Sequence, residues 1–174
     1  MSEKILGVIG GSGLYEMKGL DITDRQTVET PYGSPSDEII IGNLRGTKIA
    51  FLPRHGVGHF ITPSEINFRA NIFAMKKIGV NKIISVSAVG SMKEKYPPGH
   101  FVVPDQFIDY TTQRISTFFT TGMVGHVSLA DPICGATADV LFDAAEKAGA
   151  NVHKGGTYIC IEGPQFSTRA ESLV

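Results

Sequence analysis

The sequence predicts an α/β fold, and three features of the chain support that prediction. Short apolar segments of strand length alternate with segments whose apolar residues recur at helical spacing. Glycine-rich or small-residue loops follow several of the strand-like segments, which is where α/β proteins place their ligands. The chain has 174 residues, 42% of them hydrophobic and 19% charged, which is enough for one compact domain with a sizeable core. We therefore expect residues 1–174 to belong to a single α/β domain.

The first part of the chain is predicted to contain a buried strand followed by a hairpin. Residues 4–9 are almost continuously apolar and end at a run of glycines, as in a buried strand that enters a tight loop. The largely apolar segments 38–41 and 47–52 flank residues 43–46, Asn-Leu-Arg-Gly, whose glycine is typical of a hairpin turn. Three strands are therefore expected before residue 53.

A helix is predicted to follow this hairpin. Pro63 and Ser64 are typical of a helix start, and the apolar residues after them fall on one helical face. Those residues are Ile66, Ala70, Phe73, Ala74 and Ile78. Gly79 comes directly after the last of them and suits a left-handed C-terminal cap.

The second half of the chain is predicted to contain three strands, a helix and a long loop. The strands are expected at residues 82–86, 101–103 and 157–161. Apolar residues at helical spacing predict a helix over residues 138–148. Residues 111–136 show no clean period, and a loop of that length in a compact domain is usually functional or part of an interface.

Charge and hydropathy exclude several classes of function. Sixteen basic residues against seventeen acidic ones give a formal net charge of −1, so no broad positive field attracts nucleic acid or an anionic membrane. No apolar run approaches the roughly 20 residues of a membrane span, and the first residues lack the features of a signal peptide. Cys134 and Cys160 alone make neither a disulfide framework nor a four-ligand zinc site. The protein is expected to be cytoplasmic.

A glycine loop after the first strand is a candidate anion site. Residues 10–13, Gly-Gly-Ser-Gly, can direct several backbone N–H groups at an anion, and Ser12 adds a hydroxyl donor. The loop is not a dinucleotide-binding motif, because Glu16 occupies the position of the third glycine. A plain tight turn is the alternative interpretation.

Two further loops follow apolar strands and carry groups that bind anions. Arg54 offers a planar fork of donors to phosphate or carboxylate, with a surface ion pair as the alternative. His55 and His59 follow it, but the two glycines between them argue against a metal-binding helix. Hydroxyl residues lie at and after the end of the strand predicted at 82–86, where a tight strand-to-loop crossing is the alternative: Ser85, Ser87 and Ser91. Together the three loops predict one anion pocket.

The segment 162–171 predicts a ligand contact beside a helix start. Thr168 and Glu171 have the spacing of a capping box. Phe166 precedes them at a strand-to-helix bend, where its ring either stacks on a flat ligand or packs as a hydrophobic staple. Glu162 either binds ligand hydroxyl groups or caps backbone donors.

These segments together resemble the trimeric purine nucleoside phosphorylase family, and most closely its methylthioadenosine phosphorylase branch. The resemblance covers essentially the whole chain and rests on six motifs in order. They are residues 9–14 (IGGSGL), 30–37 (TPYGSPSD), 54–56 (RHG), 64–71 (SEINFRAN), 105–109 (DQFID) and 162–167 (EGPQFS). The resemblance implies a mixed, barrel-like central sheet flanked by helices. It also implies phosphorolysis, in which inorganic phosphate replaces the purine at C1′ of a nucleoside.

The resemblance also implies roles for particular residues. The implied phosphate contacts are Ser12, Arg54, His55, Ser87 and the Ala88 backbone. The implied nucleoside contacts are Phe166, Ser167, His59 and a histidine from the neighbouring subunit, His126. Phosphate acts as a co-substrate, and no metal, covalent nucleophile or other cofactor is implied.

Ser167 favours one branch of the family. Phosphorylases of 6-oxopurines usually place a glutamate directly after the Phe166 equivalent, where it accepts a hydrogen bond from N1–H of the base. Adenine has no N1–H, so Ser167 resembles the methylthioadenosine type. The expected products are adenine and 5-methylthioribose 1-phosphate. Phosphorolysis of inosine or guanosine is an alternative, and a catalytically inactive module that binds phosphate or a nucleoside is another.

The resemblance carries expectations about length and assembly. Members of the family are longer than this chain, so the domain is expected to lack its C-terminal part. That part holds the ribose-contacting methionine and the carboxylates that polarise the base, so the catalytic residues are expected beyond Val174. The implied assembly is a homo-oligomer, a trimer or a dimer of trimers, without nucleic acid or membrane partners.

Overall fold

The computed structural model describes residues 4–11, 13–14, 17–119 and 122–173, which contain nine strands and three helices. The strands are β1 (Ile5–Gly10), β2 (Leu20–Gln26), β3 (Ile39–Leu44), β4 (Thr47–Pro53), β5 (Val80–Ser85), β6 (Phe101–Val103), β7 (Gln106–Tyr110), β8 (Val152–Lys154) and β9 (Thr157–Ile161). The helices are α1 (Phe68–Lys77), α2 (Gly135–Lys147) and α3 (Arg169–Ser172). No helix in these ranges is both long enough and apolar enough to cross a bilayer.

The chain divides into two compact units, which are described separately. The first unit comprises Met1–Ala88 and Ile115–Phe118. The second unit comprises Val89–Arg114 and Phe119–Val174.

A five-stranded mixed sheet forms the first unit, in the order β2-β3-β4-β1-β5. β1 runs parallel to both β4 and β5, whereas β3 pairs antiparallel with β2 and with β4. The predicted α/β fold with a mixed central sheet is therefore confirmed. Closure into a barrel requires the two edge strands to pair, and β2 and β5 do not, so the sheet of the described residues is open.

Side-chain alternation along the central strands gives the first unit a core on each face of the sheet. Ile39, Ile41 and Leu52 face one side and pack with residues of α1 that include Ala74 and Met75. The core on the other side consists of Val8, Ile40, Ile49 and Phe51. β1 and β4 are thus held from both faces, which makes their carboxyl ends firm supports for the loops that follow.

The predicted hairpin is confirmed as β3 and β4. Its two central turn residues, Arg45 and Gly46, have φ angles of 50° and 84°, the left-handed values that a two-residue type I′ turn requires. The Asn43 side chain also accepts a hydrogen bond of 2.8 Å from the Gly46 N–H. Asn43 therefore stabilises the turn by accepting a hydrogen bond, and Gly46 does so by adopting a left-handed φ without steric cost.

The helix α1 begins later than the sequence predicts. Thr62 and Glu65 form a turn of their own, in which the Glu65 carboxylate accepts hydrogen bonds from the Thr62 N–H and hydroxyl at 3.1 and 2.7 Å. Asn67 is the N-cap instead of a residue near Pro63, and its side chain accepts from the Ala70 N–H at 3.1 Å. Gly79 has φ of 94° and donates to the Lys76 carbonyl, which confirms the predicted C-terminal cap.

The second unit contains two parallel strand pairs, β6 with β8 and β7 with β9, together with α2 and α3. The strands expected at 101–103 and 157–161 are confirmed, and the helix expected at 138–148 is α2. Residues 111–119 and 122–134 contain no helix or strand, in agreement with the predicted loop. The sequence analysis missed β7 and β8 here, and β2 in the first unit.

Candidate functional site

The carboxyl ends of β1, β4 and β5 meet at one edge of the sheet, because β1 runs parallel to both of its neighbours. The Gly10 carbonyl accepts a hydrogen bond of 2.9 Å from the Arg54 N–H, and the Ile9 carbonyl accepts one of 2.9 Å from the Val86 N–H. The three loops predicted to form an anion pocket therefore leave the sheet side by side. Of the residues predicted to bind phosphate, Ser12 lies outside the described residues.

Close approach between β1 and its neighbours explains one glycine of the first loop. A Cβ atom on Gly10 would collide with the Leu14 side chain and lie 3.2 Å from the Val86 carbonyl oxygen. Cβ atoms on Gly11 and Gly13 would meet no described atom within 4 Å. Gly10 thus permits tight packing, whereas the backbone beyond it borders open space in which a ligand can approach closely.

The Arg54 side chain is held on two sides and keeps donors available for an anion. Its Nε donates to Nε2 of His55 at 3.2 Å, and Nη1 donates to the Val86 carbonyl at 3.4 Å. A guanidinium has five N–H donors, so three of them have no protein partner in the described ranges. Arg54 therefore presents a preoriented donor group at the start of the loop that carries Ser87 and Ala88, both of which are exposed.

His55 is buried, and its partners define its tautomer. Nδ1 lies 2.8 Å from the Ile61 carbonyl oxygen, which can only accept, so Nδ1 carries the proton. Nε2 accepts from Arg54 and is therefore unprotonated. Both ring nitrogens are occupied within the protein, so in this arrangement the imidazole acts on an anion site by holding Arg54.

His59 stacks on His55 in a loop with unusual backbone geometry. The two ring centroids are 4.3 Å apart with an interplanar angle of 28°. His59 itself has φ of 59°, and Gly56 and Gly58 have φ of 73° and 89°. Three of the four residues 56–59 are therefore left-handed, and His59 is exposed.

Asp37 contacts this loop, and the sequence analysis did not single it out. Its Oδ2 atom accepts a hydrogen bond of 2.6 Å from the Val57 N–H. Asp37 is the last residue of the motif at 30–37, which contributes to the family resemblance. A short polar motif with two prolines and a glycine is the one available signal, and it does not show what Asp37 contacts.

The segment that carries Asp37 is fastened to α1 by two asparagines. The Asn67 side-chain amide donates to the Tyr32 carbonyl at 2.6 Å. Asn71, which is 3% exposed, accepts from the Ser36 N–H at 2.8 Å and donates to the Ser36 hydroxyl at 2.9 Å. These buried polar groups satisfy each other, which joins two motifs that are far apart in the chain.

In the second unit, Glu162 caps backbone donors, which is one of the two roles considered for it. Oε2 accepts from the N–H groups of Thr112 and Gln113 at 2.6 and 3.0 Å, and Oε1 accepts from Nε of Arg114 at 3.2 Å. These contacts lower the pKa of Glu162 from 4.5 to about 2, with the Gln113 and Thr112 hydrogen bonds as the largest causes. Glu162 therefore stays ionised, and its carboxylate fixes the residues that follow β7.

The residues predicted to contact a nucleoside are accessible to different degrees. Phe166 is 93% exposed, which rules out its packing as a hydrophobic staple. The Ser167 hydroxyl is half-buried and lies 2.7 Å from the Ser172 hydroxyl. His126 is exposed in the long loop. Phe166, Ser167 and His126 all lie in the second unit, whereas Arg54, His55, His59, Ser87 and Ala88 lie in the first.

The capping box predicted near Phe166 is present. The Thr168 side chain accepts from the Glu171 N–H at 3.2 Å, and the Glu171 carboxylate accepts from the Thr168 N–H at 2.7 Å.

Among the described residues, no three histidine, cysteine, aspartate or glutamate side chains form a group suited to a metal ion. The arrangement of donors at the sheet edge is suited to an oxyanion.

Comparison with known proteins gives a consistent set of relatives. A family model described as the phosphorylase superfamily matches residues 5–174. An S-methyl-5′-thioadenosine phosphorylase of Geobacter sulfurreducens is 60% identical over 171 residues, which is 98% of this chain and 60% of that protein. A protein of the same name from Koribacter versatilis is 57% identical and is matched over 57% of its length. This chain thus spans about 60% of the length of these curated relatives.

Solved structures agree with these sequence matches. A methylthioadenosine phosphorylase from an antarctic soil metagenomic library superimposes with a TM-score of 0.94 at 54% identity, covering 99% of this chain and 61% of that one. A methylthioadenosine phosphorylase from Schistosoma mansoni in complex with adenine superimposes with a TM-score of 0.91 at 36% identity, covering 98% of this chain and 69% of that one.

Proposed function

Because the chain belongs to the phosphorylase superfamily, we propose that the protein carrying it cleaves the N-glycosidic bond of 5′-methylthioadenosine with inorganic phosphate. The products are adenine and 5-methylthioribose 1-phosphate. The observation that carries the proposal is Arg54, which is held at the shared strand edge with three N–H groups available for an anion. The relatives named for this activity support the choice of substrate.

Phosphate is proposed to bind where the ends of β1, β4 and β5 meet. The contacts are Ser12, Arg54, Ser87 and the Ala88 backbone, with His55 holding the guanidinium through Nε2. Departure of the purine leaves positive charge on the ribosyl ring, and the bound phosphate stabilises that charge before it attacks C1′. Positioning the two reactants lowers the entropic part of the barrier, and phosphate is the one co-substrate that the proposal needs.

The nucleoside contacts are proposed to include Phe166, Ser167 and His59. The exposed Phe166 ring offers an apolar face to a purine. Ser167 has a hydroxyl where 6-oxopurine enzymes usually carry a glutamate, which favours a 6-aminopurine. The exposed His59 ring stands on the loop next to Arg54 and His55.

A homo-oligomer, a trimer or a dimer of trimers, is proposed as the working form, with His126 reaching the site of a neighbouring subunit. The loop that carries His126 exposes several apolar side chains, which a subunit contact would cover. They are Met123, Val124, Val127 and Leu129. We also propose a cytoplasmic location, because two cysteines are too few for the disulfide framework typical of small secreted domains.

The test is adenine release from 5′-methylthioadenosine, measured by chromatography with and without inorganic phosphate. The Geobacter sulfurreducens relative is assayed beside it as the positive control. We expect adenine and a sugar phosphate only when phosphate is present. Equal adenine release without phosphate would indicate a hydrolase, and faster turnover of inosine would show that the Ser167 argument is wrong. Phosphate binding without turnover of either nucleoside would favour an inactive binding module.

A further inference from the structure

We propose that Asp37 is a positioning residue for the anion site, because its carboxylate fixes the loop that carries His55 and His59. The proposal rests on the proposed function in one respect only, the identity of the anion as phosphate. Asp37 is not proposed as a ligand, since a carboxylate and phosphate repel each other.

The loop after Arg54 needs an external support. Gly56, Gly58 and His59 have positive φ angles, which chains without support adopt only part of the time. Ordering the two glycines also costs conformational entropy. The loop's internal backbone hydrogen bonds run from the Gly56 N–H to the Pro53 carbonyl, from the His59 N–H to the Gly56 carbonyl and from the Ile61 N–H to the His55 carbonyl, all at 3.1 Å. They leave the Val57 N–H, at the centre of the loop, without a partner among the loop's own residues, all of which the structure describes. The Val57 N–H instead reaches out of the loop to Asp37, at 2.6 Å.

Asp37 is itself anchored on both sides. Its Oδ1 atom accepts from the Glu38 N–H at 2.8 Å, one residue before the buried strand β3 begins. On the other side, Ser36 is buried and doubly hydrogen-bonded to Asn71 of α1. The Asp37 carboxylate therefore connects the loop at Val57 to a segment that is held in place by α1 and β3.

The effect of Asp37 reaches Arg54 through defined contacts. The Ile61 carbonyl, at the far end of the loop, fixes the proton on Nδ1 of His55. The opposite ring nitrogen then accepts from Nε of Arg54. A loop that loses its contact with Asp37 would let Ile61 and the His55 ring move, and the guanidinium would lose the orientation in which it meets an anion.

Two substitutions at Asp37 separate the contact with the loop from the local turn. Asp37→Ser keeps a short acceptor for the Glu38 N–H but cannot reach Val57. Asp37→Asn has a single acceptor oxygen, which can accept from the Val57 N–H while the contact with the Glu38 N–H is lost, so it serves as the conservative rescue of the loop contact. Asp24→Ser is the matched control, since Asp24 also accepts from the next N–H, that of Arg25, at 2.8 Å. Its second oxygen binds the side chain of Gln26 within the same strand instead of a distant loop.

The first readout is hydrogen exchange of the Val57 amide and its loop neighbours, measured by NMR without ligand. The second is the phosphate dissociation constant, measured by NMR titration with inorganic phosphate. For Asp37→Ser we expect exchange at Val57 at least about tenfold faster and phosphate binding about 10–100-fold weaker. For Asp37→Asn we expect values within about tenfold of the wild type, and for Asp24→Ser wild-type values.

These readouts do not depend on turnover, so the role of Asp37 and the proposed reaction can be refuted independently of each other. Wild-type protein that binds phosphate but does not cleave 5′-methylthioadenosine refutes the proposed reaction, and the role of Asp37 is still decided by exchange and binding. Unchanged exchange at Val57 in Asp37→Ser, or wild-type phosphate affinity in that variant, overturns the role of Asp37. So does wild-type protein with no measurable phosphate affinity, or equal losses in Asp37→Ser and Asp24→Ser.

Discussion

Replacing Arg54 by alanine tests the phosphate site directly, and the structure gives the size of the effect. Two of the five guanidinium N–H groups are used within the protein, so the remaining three can make at least two contacts with phosphate oxygens. At the lower end of the range for charge-assisted hydrogen bonds, about 1.5 kcal/mol each, two contacts contribute about 3 kcal/mol. That corresponds to a loss of roughly 150-fold in kcat/KM for phosphate.

The assay is steady-state adenine release with phosphate as the varied substrate, followed by the same measurement with the nucleoside varied. Arg54→Ala should lose its kcat/KM for phosphate while the KM for the nucleoside changes little. Arg54→Lys keeps the charge without the planar fork, so its kcat/KM for phosphate should lie between those of the wild type and Arg54→Ala. Arg25→Ala, on the exposed edge strand β2, is the control and should behave as wild type. An unchanged kcat/KM for phosphate in Arg54→Ala would remove Arg54 from the site.

Two further predictions concern the second unit. The contacts of Glu162 hold its pKa at about 2, below the ordinary 4.5, so its stabilising contribution is full above pH 4.5 and is lost as the pH falls toward 2. Thermal melting of Glu162→Gln should therefore depend less on pH between 4.5 and 2 than that of the wild type, and parallel curves would contradict this assignment. Phe166→Ala should leave the melting temperature unchanged because the ring is exposed, while the KM for the nucleoside rises about 3–10-fold, as expected for a lost aromatic contact of about 0.5–1.5 kcal/mol. A lower melting temperature with an unchanged KM would show that Phe166 is structural.

β1, β3 and β4 were predicted from the sequence and β2, β7 and β8 were not, and the two groups differ in where their stability comes from. β1, β3 and β4 contain consecutive apolar residues that are buried by the core, so their local sequence carries the signal. β7 is exposed along its whole length and is defined by pairing Gln106 with Thr157 of β9, far along the chain. β8 has three residues, and β2 is a mostly exposed, polar edge strand. β6 and β9 pair with β8 and β7 and depend equally on distant partners, but their segments FVV and TYICI contain enough apolar residues to indicate a strand.

The candidate site shows a similar division. The position of Arg54 directly after an apolar strand was enough to predict a donor at a strand end. The tautomer of His55 depends on the distance from Nδ1 to the Ile61 carbonyl, and no sequence pattern reports that distance. The contact from Asp37 to Val57 joins two separate motifs and requires the fold to be known. The start of α1 was misplaced for a related reason, because Thr62 and Glu65 form a turn that resembles the first turn of a helix.

The central place of β1 in the sheet has a consequence for synthesis of the chain on the ribosome. β1 is made first, yet its Leu6 pairs with Ile49 on one side and Lys82 on the other. At about 5–20 residues per second, several seconds pass before the second of these partners has been translated. During that time β2, β3 and β4 can already pair as neighbours along the chain, and β1 can join β4. The other edge of the apolar strand β1 has no partner until β5 is made. We therefore expect the open edge of β1, the strand that later supports the glycine loop, to be prone to aggregation in the nascent protein until β5 pairs with it.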